Sequence, residues 1–486
     1  MASSADRVTI LSFASVGRLV ALIAGAFICT HATVDPDLWG HLRFGLDTIR
    51  DGRVDRVDPY SFTQGVAVLD HEWLGEVVLA LAYRTGGVFA LMVLKASLLV
   101  TAFVLLAFAV RRMSEPARWL LLAIGIIGVA PAAYTIRPQL WTLVAVPALW
   151  CALNNRRSLV CVPLIFAPWA SLHGGWIVGV VLSGLWVAGR IVDTRSIRAV
   201  LPAAVAIGAG VAATLLNPYG WNLWLYMLAL RPSRNVAEFH PLWQQSELSF
   251  AVLWMVIFLG IVVPTVVRRW STTAWAGVFP VAGFAVISLF VTRLVPFFSE
   301  VAVLGLAGAW RGVGAIGGLS SERRPRGAVM VDVAVVAVVA VANLWPQSRC
   351  LAIRGPWIPD LAAAAAFRPP SVQGRLVVPF DWGQYAIWHW GPRLRVSMDG
   401  RHDTVYSHAM IELQSAVAHG RPEGIDYLDR ERPEYIWLRT DAAAPAAEWL
   451  TAHGYRLDVN NAQSFVARRA DLPPLFIGPP MSGCFP

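Results

Sequence analysis

The most restrictive feature of this sequence is a series of long apolar runs, separated by short gaps rich in Arg, Gly and Pro. A helix rises about 1.5 Å per residue, so about 20 apolar residues cross a hydrocarbon core of about 30 Å. The runs therefore predict membrane-spanning helices. We expect about eleven spans, at residues 14–31, 86–110, 118–136, 138–153, 158–172, 174–190, 199–216, 250–267, 272–291, 294–312 and 329–345.

The composition supports this class. Hydrophobic residues make up 56% of the chain and charged residues only 15%, whereas soluble domains carry roughly 25% charged residues. The predicted fold class is thus an α-helical polytopic membrane protein. The segment Trp221 to Leu230 is too short to span a membrane and is rich in Trp, Tyr and Leu, which is typical of a helix lying in the interface.

The net charge of +9 does not indicate a nucleic-acid partner, because the arginines gather in the N-terminal segment and in alternate loops. This distribution follows the positive-inside rule and predicts that these loops and the N-terminus are cytoplasmic. No convincing cleavage site follows the first run, so we expect the first span to be kept as an anchor. The arginines concerned are Arg7, Arg18, Arg111, Arg112, Arg118, Arg156, Arg157, Arg190, Arg195, Arg198, Arg268, Arg269, Arg311, Arg323, Arg324 and Arg326.

Two polar segments fall on the outer face under this topology. Residues 32–85 form an acidic first loop and count with the transmembrane domain, 1–345, while residues 346–486 form a separate soluble domain. In the loop, Asp35 is expected to cap a helix that begins at Pro36 and ends near Gly52. Asp70 is expected to cap a second surface helix.

The C-terminal segment alternates short β-prone runs with helical ones, which predicts a small extracytoplasmic α/β domain. Cys350 and Cys484 are the only cysteines in this exported segment. Because the exterior is oxidising, we expect a disulfide between them. The expected elements are Arg375–Phe380, Trp382–Trp390, Arg395–Met398, Tyr406–His419, Glu434–Leu438, Ala443–His453, Tyr455–Val459 and Ser464–Ala467.

Several ionisable residues are predicted to lie at the outer ends of the spans, where charged groups are costly and are functional candidates. Each also has a structural interpretation. Asp35 can be only a helix cap, Arg137 can snorkel to the headgroups, and His173 can be a packed, hydrogen-bonded residue. The candidates are Asp35, Asp37, Arg137, His173 and Arg293.

A second group of candidates lies on the second loop helix. His71, Glu72 and Glu76 share its polar side. They can bind a substrate, but carboxylates near a helix N-terminus are also favourable as an ordinary solvated face.

Several motifs together resemble a family of bacterial multi-pass proteins that is similar to the type C glycosyltransferases. These enzymes use polyprenyl-phosphate sugars at the outer face of the membrane. The family more often has a second Trp where this chain has Gly40. The matching motifs are Asp35-Pro36-Asp37-Leu38-Trp39-Gly40-His41-Leu42, Asp58-Pro59-Tyr60-Ser61, His71-Glu72-Trp73-Leu74-Gly75-Glu76, Arg137-Pro138-Gln139, Trp169-Ala170-Ser171-Leu172-His173-Gly174-Gly175, Asn217-Pro218-Tyr219-Gly220, and Asp399-Gly400-Arg401 with Asp403 and Tyr406.

The resemblance implies sugar transfer from a polyprenyl-phosphate-linked donor to a lipid, glycan or protein acceptor of the cell envelope. Asp37, or else Asp35, is implied as the base that deprotonates the acceptor. Arg137 and Arg293 would hold the lipid phosphate. The remaining candidates, His71, Glu72, Glu76 and His173, would position the substrates. If a divalent metal is used, His173 and Glu72 could hold it.

Two other functions are compatible with the sequence. The protein could be a non-catalytic lipid or glycan transporter, or an envelope-assembly scaffold. A transporter needs a polar path through the bundle, yet Lys95 is almost the only charge deep within a predicted span. The sequence therefore favours an enzyme of the bacterial plasma (inner) membrane whose partners are membrane lipids, the lipid-linked sugar and an unidentified acceptor, with no nucleic acid.

Overall fold

The computed structural model describes residues 4–63, 68–229, 240–244, 250–268, 274–309 and 326–486. Four arginines of the predicted cytoplasmic loops lie outside these ranges, as do the ends of the predicted segments at Leu230, 272–273 and 310–312. The arginines are Arg269, Arg311, Arg323 and Arg324.

The chain divides into two compact units. The first contains Met1–Ala32 and Phe89–Arg349, and the second contains Thr33–Val88 and Cys350–Pro486. The first loop therefore clusters with the C-terminal segment. This division differs from the boundaries drawn from the sequence, which kept the loop with the apolar helices.

Each predicted span except 118–136 coincides with one helix of the structure. Helix α3 (Trp73–Val110) begins in the second unit and continues into the first. The other helices of the first unit are α1 (Ser4–Thr30), α4 (Glu115–Gly128), α5 (Ala130–Ala133), α6 (Gln139–Leu153), α7 (Cys161–Leu172), α8 (Trp176–Thr194), α9 (Ile197–Ala213), α10 (Trp221–Ala229), α11 (Phe250–Arg268), α12 (Trp275–Phe290), α13 (Val295–Ala309) and α14 (Arg326–Arg349). The predicted span 118–136 is instead the pair α4 and α5. Pro131 explains this break, because it cannot donate a hydrogen bond inside a helix and favours a helix start.

Among the described residues, three helices are long and apolar enough to cross a membrane: α3, α8 and α14. Shorter apolar helices occur at Ser15–Thr30, Gln139–Leu153, Cys161–Leu172, Ile197–Ala213 and Trp275–Phe290. The structure thus supports a multi-helix membrane protein, while the number of about eleven crossings stays a prediction.

The second predicted loop helix is continuous with a predicted span. Both belong to α3, which is broken at Gly86 and Gly87. Gly87 has φ +59°, a backbone conformation that a residue without a Cβ adopts at little cost. The break lies next to the boundary between the two units.

A lysine caps the first helix of the first unit. Lys95 is only 1% exposed, and its Nζ donates to the carbonyls of Ile28 (2.6 Å) and His31 (2.7 Å). The last carbonyls of a helix lack intrahelical donors, so a buried ammonium can satisfy them. Lys95 therefore has a structural role at the end of α1 and does not by itself indicate a polar path.

The second unit contains the predicted α/β arrangement. Its helices are α2 (Asp37–Asp51), the start of α3, α15 (Leu361–Ala364), α16 (Phe380–Trp390), α17 (His408–Ala418), α18 (Pro422–Glu431) and α19 (Thr440–Ala452). Its strands are β1 (Leu351–Ala352), β2 (Gly374–Val377), β3 (Leu394–Val396), β4 (Tyr435–Arg439), β5 (Tyr455–Asn460), β6 (Ser464–Arg469) and β7 (Cys484–Phe485). A five-stranded sheet has the order β3-β2-β4-β6-β5, in which β3, β2 and β4 are parallel and β6 pairs antiparallel with β4 and β5.

The first loop extends this sheet. Ser61 forms a parallel bridge with Val396 at the edge strand β3. The Val396 N–H donates to the Tyr60 carbonyl (2.8 Å), and the Phe62 N–H donates to the Val396 carbonyl (3.2 Å). The loop and the C-terminal segment are therefore joined through backbone hydrogen bonds.

The ends of the C-terminal segment are also joined. Cys350 and Cys484 form a disulfide, with their Cα atoms 5.1 Å apart. The bond accompanies the antiparallel pairing of the short strands β1 and β7. It ties the last residues of the chain to the residue that follows α14.

Candidate functional site

Helix α2 begins at the acidic motif of the first loop. The Asp37 N–H donates to Asp35 Oδ1 (2.8 Å), and Asp35 is only 7% exposed. Pro36 has φ −57°, which is compatible with a helix start, and Asp37 is the first helical residue. Asp35 thus caps the helix as expected, although the helix begins one residue later than predicted. The cap uses the Asp37 backbone and leaves its carboxylate to other contacts.

The Asp37 carboxylate lies against Gly400. A Cβ at position 400 would collide with Asp37 Oδ1 and lie 3.0 Å from Gln384 Nε2. Gly400 follows β3, so Asp37 is at the carboxyl edge of the parallel strands. Ligands usually bind at this edge of α/β sheets. A glycine at position 400 allows the backbone to approach the carboxylate.

Arg401 holds the loop and the sheet together beside Asp37. Its Nη1 and Nη2 donate to Asp58 Oδ1 (2.8 Å) and Oδ2 (2.9 Å). Its Nε and Nη2 donate to Asp399 Oδ1 (2.8 Å) and Oδ2 (2.7 Å), and the Tyr406 hydroxyl donates to Asp399 Oδ2 (2.7 Å). Such bidentate pairs fix geometry strongly. Two of the motifs found in the sequence thus form one ion-pair cluster.

Electrostatic interactions in this cluster stabilise the ionised form of Asp399 and the neutral form of Tyr406. Burial alone would raise the pKa of Asp399, but Arg401 and the Tyr406 hydroxyl outweigh burial and lower it. Burial and the Asp399 carboxylate raise the pKa of Tyr406 well above its usual value. Asp399 is therefore ionised and Tyr406 neutral at physiological pH, which suits a fixed structural connection.

A second cluster surrounds the start of α3. His41 Nδ1 lies 2.9 Å from Glu76 Oε1, and His41 is four residues after Asp37 on α2, which places the two on one helix face. Glu76 is only 5% exposed. The interpretation of Glu76 as part of a solvated helix face is therefore wrong, because the packing of α3 against α2 buries it.

The neighbouring residues of α3 complete this cluster. Asp70 Oδ1 accepts from the Glu72 N–H (3.0 Å), so Asp70 is the predicted helix cap. Burial and the nearby Glu76 carboxylate raise the pKa of Asp70 well above its usual range. Burial lowers the pKa of His71, but Glu72 and Asp70 outweigh burial and raise it. Both shifts favour the protonated forms of Asp70 and His71.

The sequence left open a divalent metal held by His173 and Glu72. Among the residues that the structure describes, no group of three or more His, Cys, Asp or Glu side chains could hold a metal ion.

His173 ends α7 in the first unit. The Gly175 N–H donates to His173 Nδ1 (3.0 Å), and Thr142 Oγ1 lies 2.7 Å from the same atom. Trp169 Nε1 in turn donates to Thr142 Oγ1 (2.9 Å). Since Nδ1 accepts the Gly175 proton, a neutral ring carries its own proton on Nε2. These contacts orient the ring so that Nε2 is a hydrogen-bond donor.

The contacts between helices place the three candidates of the first unit at one end of the helix bundle. Arg137 lies two residues before α6, whose first turn carries the Thr142 that contacts His173. Helix α8 starts just after His173. Its last turn carries Asp193, which accepts the N–H groups of Trp275 (2.7 Å) and Ala276 (3.1 Å) at the start of α12. Helices α8 and α12 are thus antiparallel, and Arg293, which follows α12, returns to the end where α8 begins.

The candidates therefore fall into two groups. Asp35, Asp37, His71, Glu72 and Glu76 belong to the second unit, and Arg137, His173 and Arg293 belong to the first. Several residues near these groups have no role that the sequence alone indicates. The spacing of four residues from Asp37 could have identified His41. Asp58, Asp399 and Arg401 lie within the motifs found in the sequence, but no local pattern shows which side chains they meet, and Gln384 lies in none of these motifs.

No protein-family model matches the sequence, and no curated protein matches it. Solved structures do match the fold. Oligosaccharyltransferase AglB from Archaeoglobus fulgidus aligns with a TM-score of 0.54 at 12% identity, over 97% of this chain and 75% of the other. ArnT from Cupriavidus metallidurans aligns with a TM-score of 0.51 at 14% identity, over 96% and 99%.

The arabinofuranosyltransferase AftD from Mycobacteria aligns with a TM-score of 0.50 at 14% identity, over 96% of this chain and 40% of the other. The chain has a type C glycosyltransferase fold. The resemblance drawn from the motifs is therefore confirmed at the level of the fold. Structural alignments at such low identity establish the architecture only. The chemistry has to be argued from the residues of this chain.

Proposed function

We propose that the protein transfers a sugar from a polyprenyl-phosphate-linked donor to a lipid, glycan or protein acceptor at the outer face of the bacterial plasma membrane. The observation that carries the proposal is the Asp37 carboxylate, held at the start of α2 against Gly400. The type C fold supports sugar transfer in general. One of its structural neighbours, AglB, is complexed with a dolichol-phosphate.

Asp37 would act as the general base. The acceptor hydroxyl gives its proton to the Asp37 carboxylate, while its oxygen bonds to the anomeric carbon of the donor sugar. The bond between that carbon and the phosphate oxygen breaks, and polyprenyl phosphate leaves with the electron pair. Positioned bases contribute about 10² to 10⁴ in rate. Asp35 would support this step by fixing the helix start from which Asp37 projects.

The first unit would bind the donor. Arg137 and Arg293 lie at one end of the helix bundle and would pair with the lipid phosphate as its charge develops. The contacts of His173 Nδ1 place the proton of the neutral ring on Nε2, and this Nε2–H would be an additional donor to the phosphate. In the second unit, His71, Glu72 and Glu76 would position the acceptor.

The proposed topology follows from the arginine distribution. The N-terminus would be cytoplasmic, and the unit containing Asp37 would be extracytoplasmic. The disulfide between Cys350 and Cys484 supports this placement, since such bonds persist in oxidising compartments.

The experiment is complementation of a strain that lacks the gene, with mass spectrometry of the envelope glycans. We expect Asp37→Asn and Arg137→Ala to remove the sugar that the wild type restores, with normal protein levels. Asp35→Asn should be milder, since Asn caps about as well as Asp. The matched control is Asp51→Asn, at the exposed far end of the same helix, which should complement fully.

The outcomes separate the candidate functions. Loss of activity with Asp35→Asn but not with Asp37→Asn would exchange their roles and keep the enzyme. If glycans depend on the protein yet neither aspartate matters, sugar transfer at this site is wrong and a transporter or scaffold is favoured.

A further inference from the structure

Gln384 is a buried polar residue of the second unit to which the proposed reaction gives no role. It lies on α16 and is 3% exposed. Its Oε1 has no hydrogen-bond partner among the residues that the structure describes. Burying an amide oxygen without a hydrogen-bond donor lowers the stability of the fold. The stability of the fold therefore does not explain a glutamine at this position.

The surroundings of this amide connect it to Asp37. A Cβ at Gly40 would collide with Gln384 Oε1, so the amide fills the space beside α2. A Cβ at Gly400 would meet both Gln384 Nε2, at 3.0 Å, and Asp37 Oδ1. Two glycines therefore allow an amide and a carboxylate to approach the same point from α16 and α2.

Further unsatisfied polar atoms occur on the same two helices. Trp39 Nε1 on α2 and the Tyr385 hydroxyl on α16 are buried and have no hydrogen-bond partner within the described ranges. Their rings pack edge to face, with centroids 5.2 Å apart. Native interfaces usually satisfy such groups, so their concentration between α2 and α16 indicates a place where a polar ligand completes the hydrogen bonding.

We propose that Gln384 binds the acceptor and that the acceptor is a sugar. This inference rests on the proposed function and names its acceptor class. An amide both donates and accepts, so it can bind a second hydroxyl beside the one that Asp37 deprotonates. A sugar offers adjacent hydroxyls, whereas a lipid alcohol or a Ser or Thr side chain offers one. The carboxylates of Asp35 and Asp37 disfavour an anionic acceptor group.

A ligand-binding role and a structural role predict opposite effects of one substitution. Gln384→Met keeps the approximate volume and removes the unsatisfied amide. If the amide serves the ligand, the melting temperature stays the same or rises, because a buried polar atom without a partner is removed. If the amide serves the fold, the melting temperature falls.

The experiment uses the purified full chain in nanodiscs, with lipid-linked sugars from native membranes as donor. The acceptor probes are an octyl hexoside, its monodeoxy analogues, a long-chain alcohol and a Ser/Thr peptide. We expect Gln384→Met to lower transfer to the hexoside about 10- to 100-fold, as for a lost hydrogen bond in a site, mainly through KM. For the deoxy analogue that lacks the hydroxyl bound by Gln384, the variant and the wild type should transfer sugar at equal rates, since the contact is absent in both.

The matched control is Gln414→Met. Gln414 is 4% exposed, also has a buried Oε1 without a hydrogen-bond partner in the described part of the chain, and lies on α17. It should leave transfer unchanged.

Several outcomes would overturn the inference and keep the proposed function. These are unchanged kinetics in Gln384→Met, an equal loss with every deoxy analogue, a lowered melting temperature, or wild-type transfer only to the alcohol or the peptide. Wild-type transfer to none of the probes, or full activity of Asp37→Asn, would instead count against the proposed function.

Discussion

Replacing Arg401 by Met should unfold the second unit at a much lower temperature. Arg401 forms ion pairs with both Asp58 (2.8 Å) and Asp399 (2.7 Å). The side chains of these two acids are 0% exposed. The substitution keeps much of the volume and removes the positive charge that Arg401 supplies to both buried carboxylates.

The magnitude follows from this burial. Removing one partner of a buried pair costs about 3 to 5 kcal/mol, because the charge left behind is not solvated. For a unit of this size, each kcal/mol shifts the melting temperature by about 2 to 4 °C, so we expect a loss of about 6 to 20 °C. The loss should shrink in acid. The pKa of Asp399 is lowered in the folded state, so its contribution exists above the unfolded pKa near 3.8 and disappears as the pH falls below it.

The assay is thermal unfolding of the purified full chain, followed by tryptophan fluorescence. The control is Arg430→Met, which removes an ion pair with Glu431 (3.5 Å) whose arginine side chain is 67% exposed. Exposed pairs contribute little, so this variant should melt like the wild type. Equal melting of Arg401→Met and Arg430→Met at pH 7 would refute the cluster as the connection between loop and sheet.

Three further predictions concern other parts of the molecule. The pKa of Asp70 is raised in the folded state, so the contribution of Asp70 to stability is lost as the pH rises above about 4. Asp70→Asn keeps the capping oxygen and should therefore melt above the wild type at pH 7 and close to it at pH 4. A lower melting temperature than the wild type at pH 7 would contradict this. Alkylation and mass mapping of the unreduced protein should find Cys350 and Cys484 blocked, whereas the exposed thiol that begins α7 reacts; a free thiol at either position would refute the disulfide. Reporter fusions at Ser320 and Pro370 should report the cytoplasm and the exterior, respectively, and the reverse result would remove the outer-face site.

Local features of the fold were predictable from the sequence. The Asp35-Pro36 pair and Gly52 define the ends of α2, because a cap and a left-handed glycine act within a few residues. Gly52 does have φ +64°. The apolar runs likewise predict where the helices lie, since hydrophobic burial depends on composition over one helix length.

Non-local features were not predictable. The sequence gives no reason for Asp58 to meet Arg401, because the two lie more than 300 residues apart and only the folded edge of β3 brings them together. For the same reason Glu76 was open to interpretation as a solvated residue: its helix face is polar by pattern, and the packing of α2 that buries it comes from another segment. Gln384 has no motif at all and becomes a candidate only through its neighbours.

The most direct test of the proposed function is the rate of sugar transfer by purified wild type and Asp37→Asn in nanodiscs, with lipid-linked sugars extracted from native membranes. Loss of the carboxylate charge should lower the rate about 10² to 10⁴-fold. Binding of the lipid donor and the melting temperature should stay at wild-type values, because the cap at Asp35 and the arginines of the first unit are unchanged. Transfer by Asp37→Asn at the wild-type rate would contradict the assignment of Asp37 as the base.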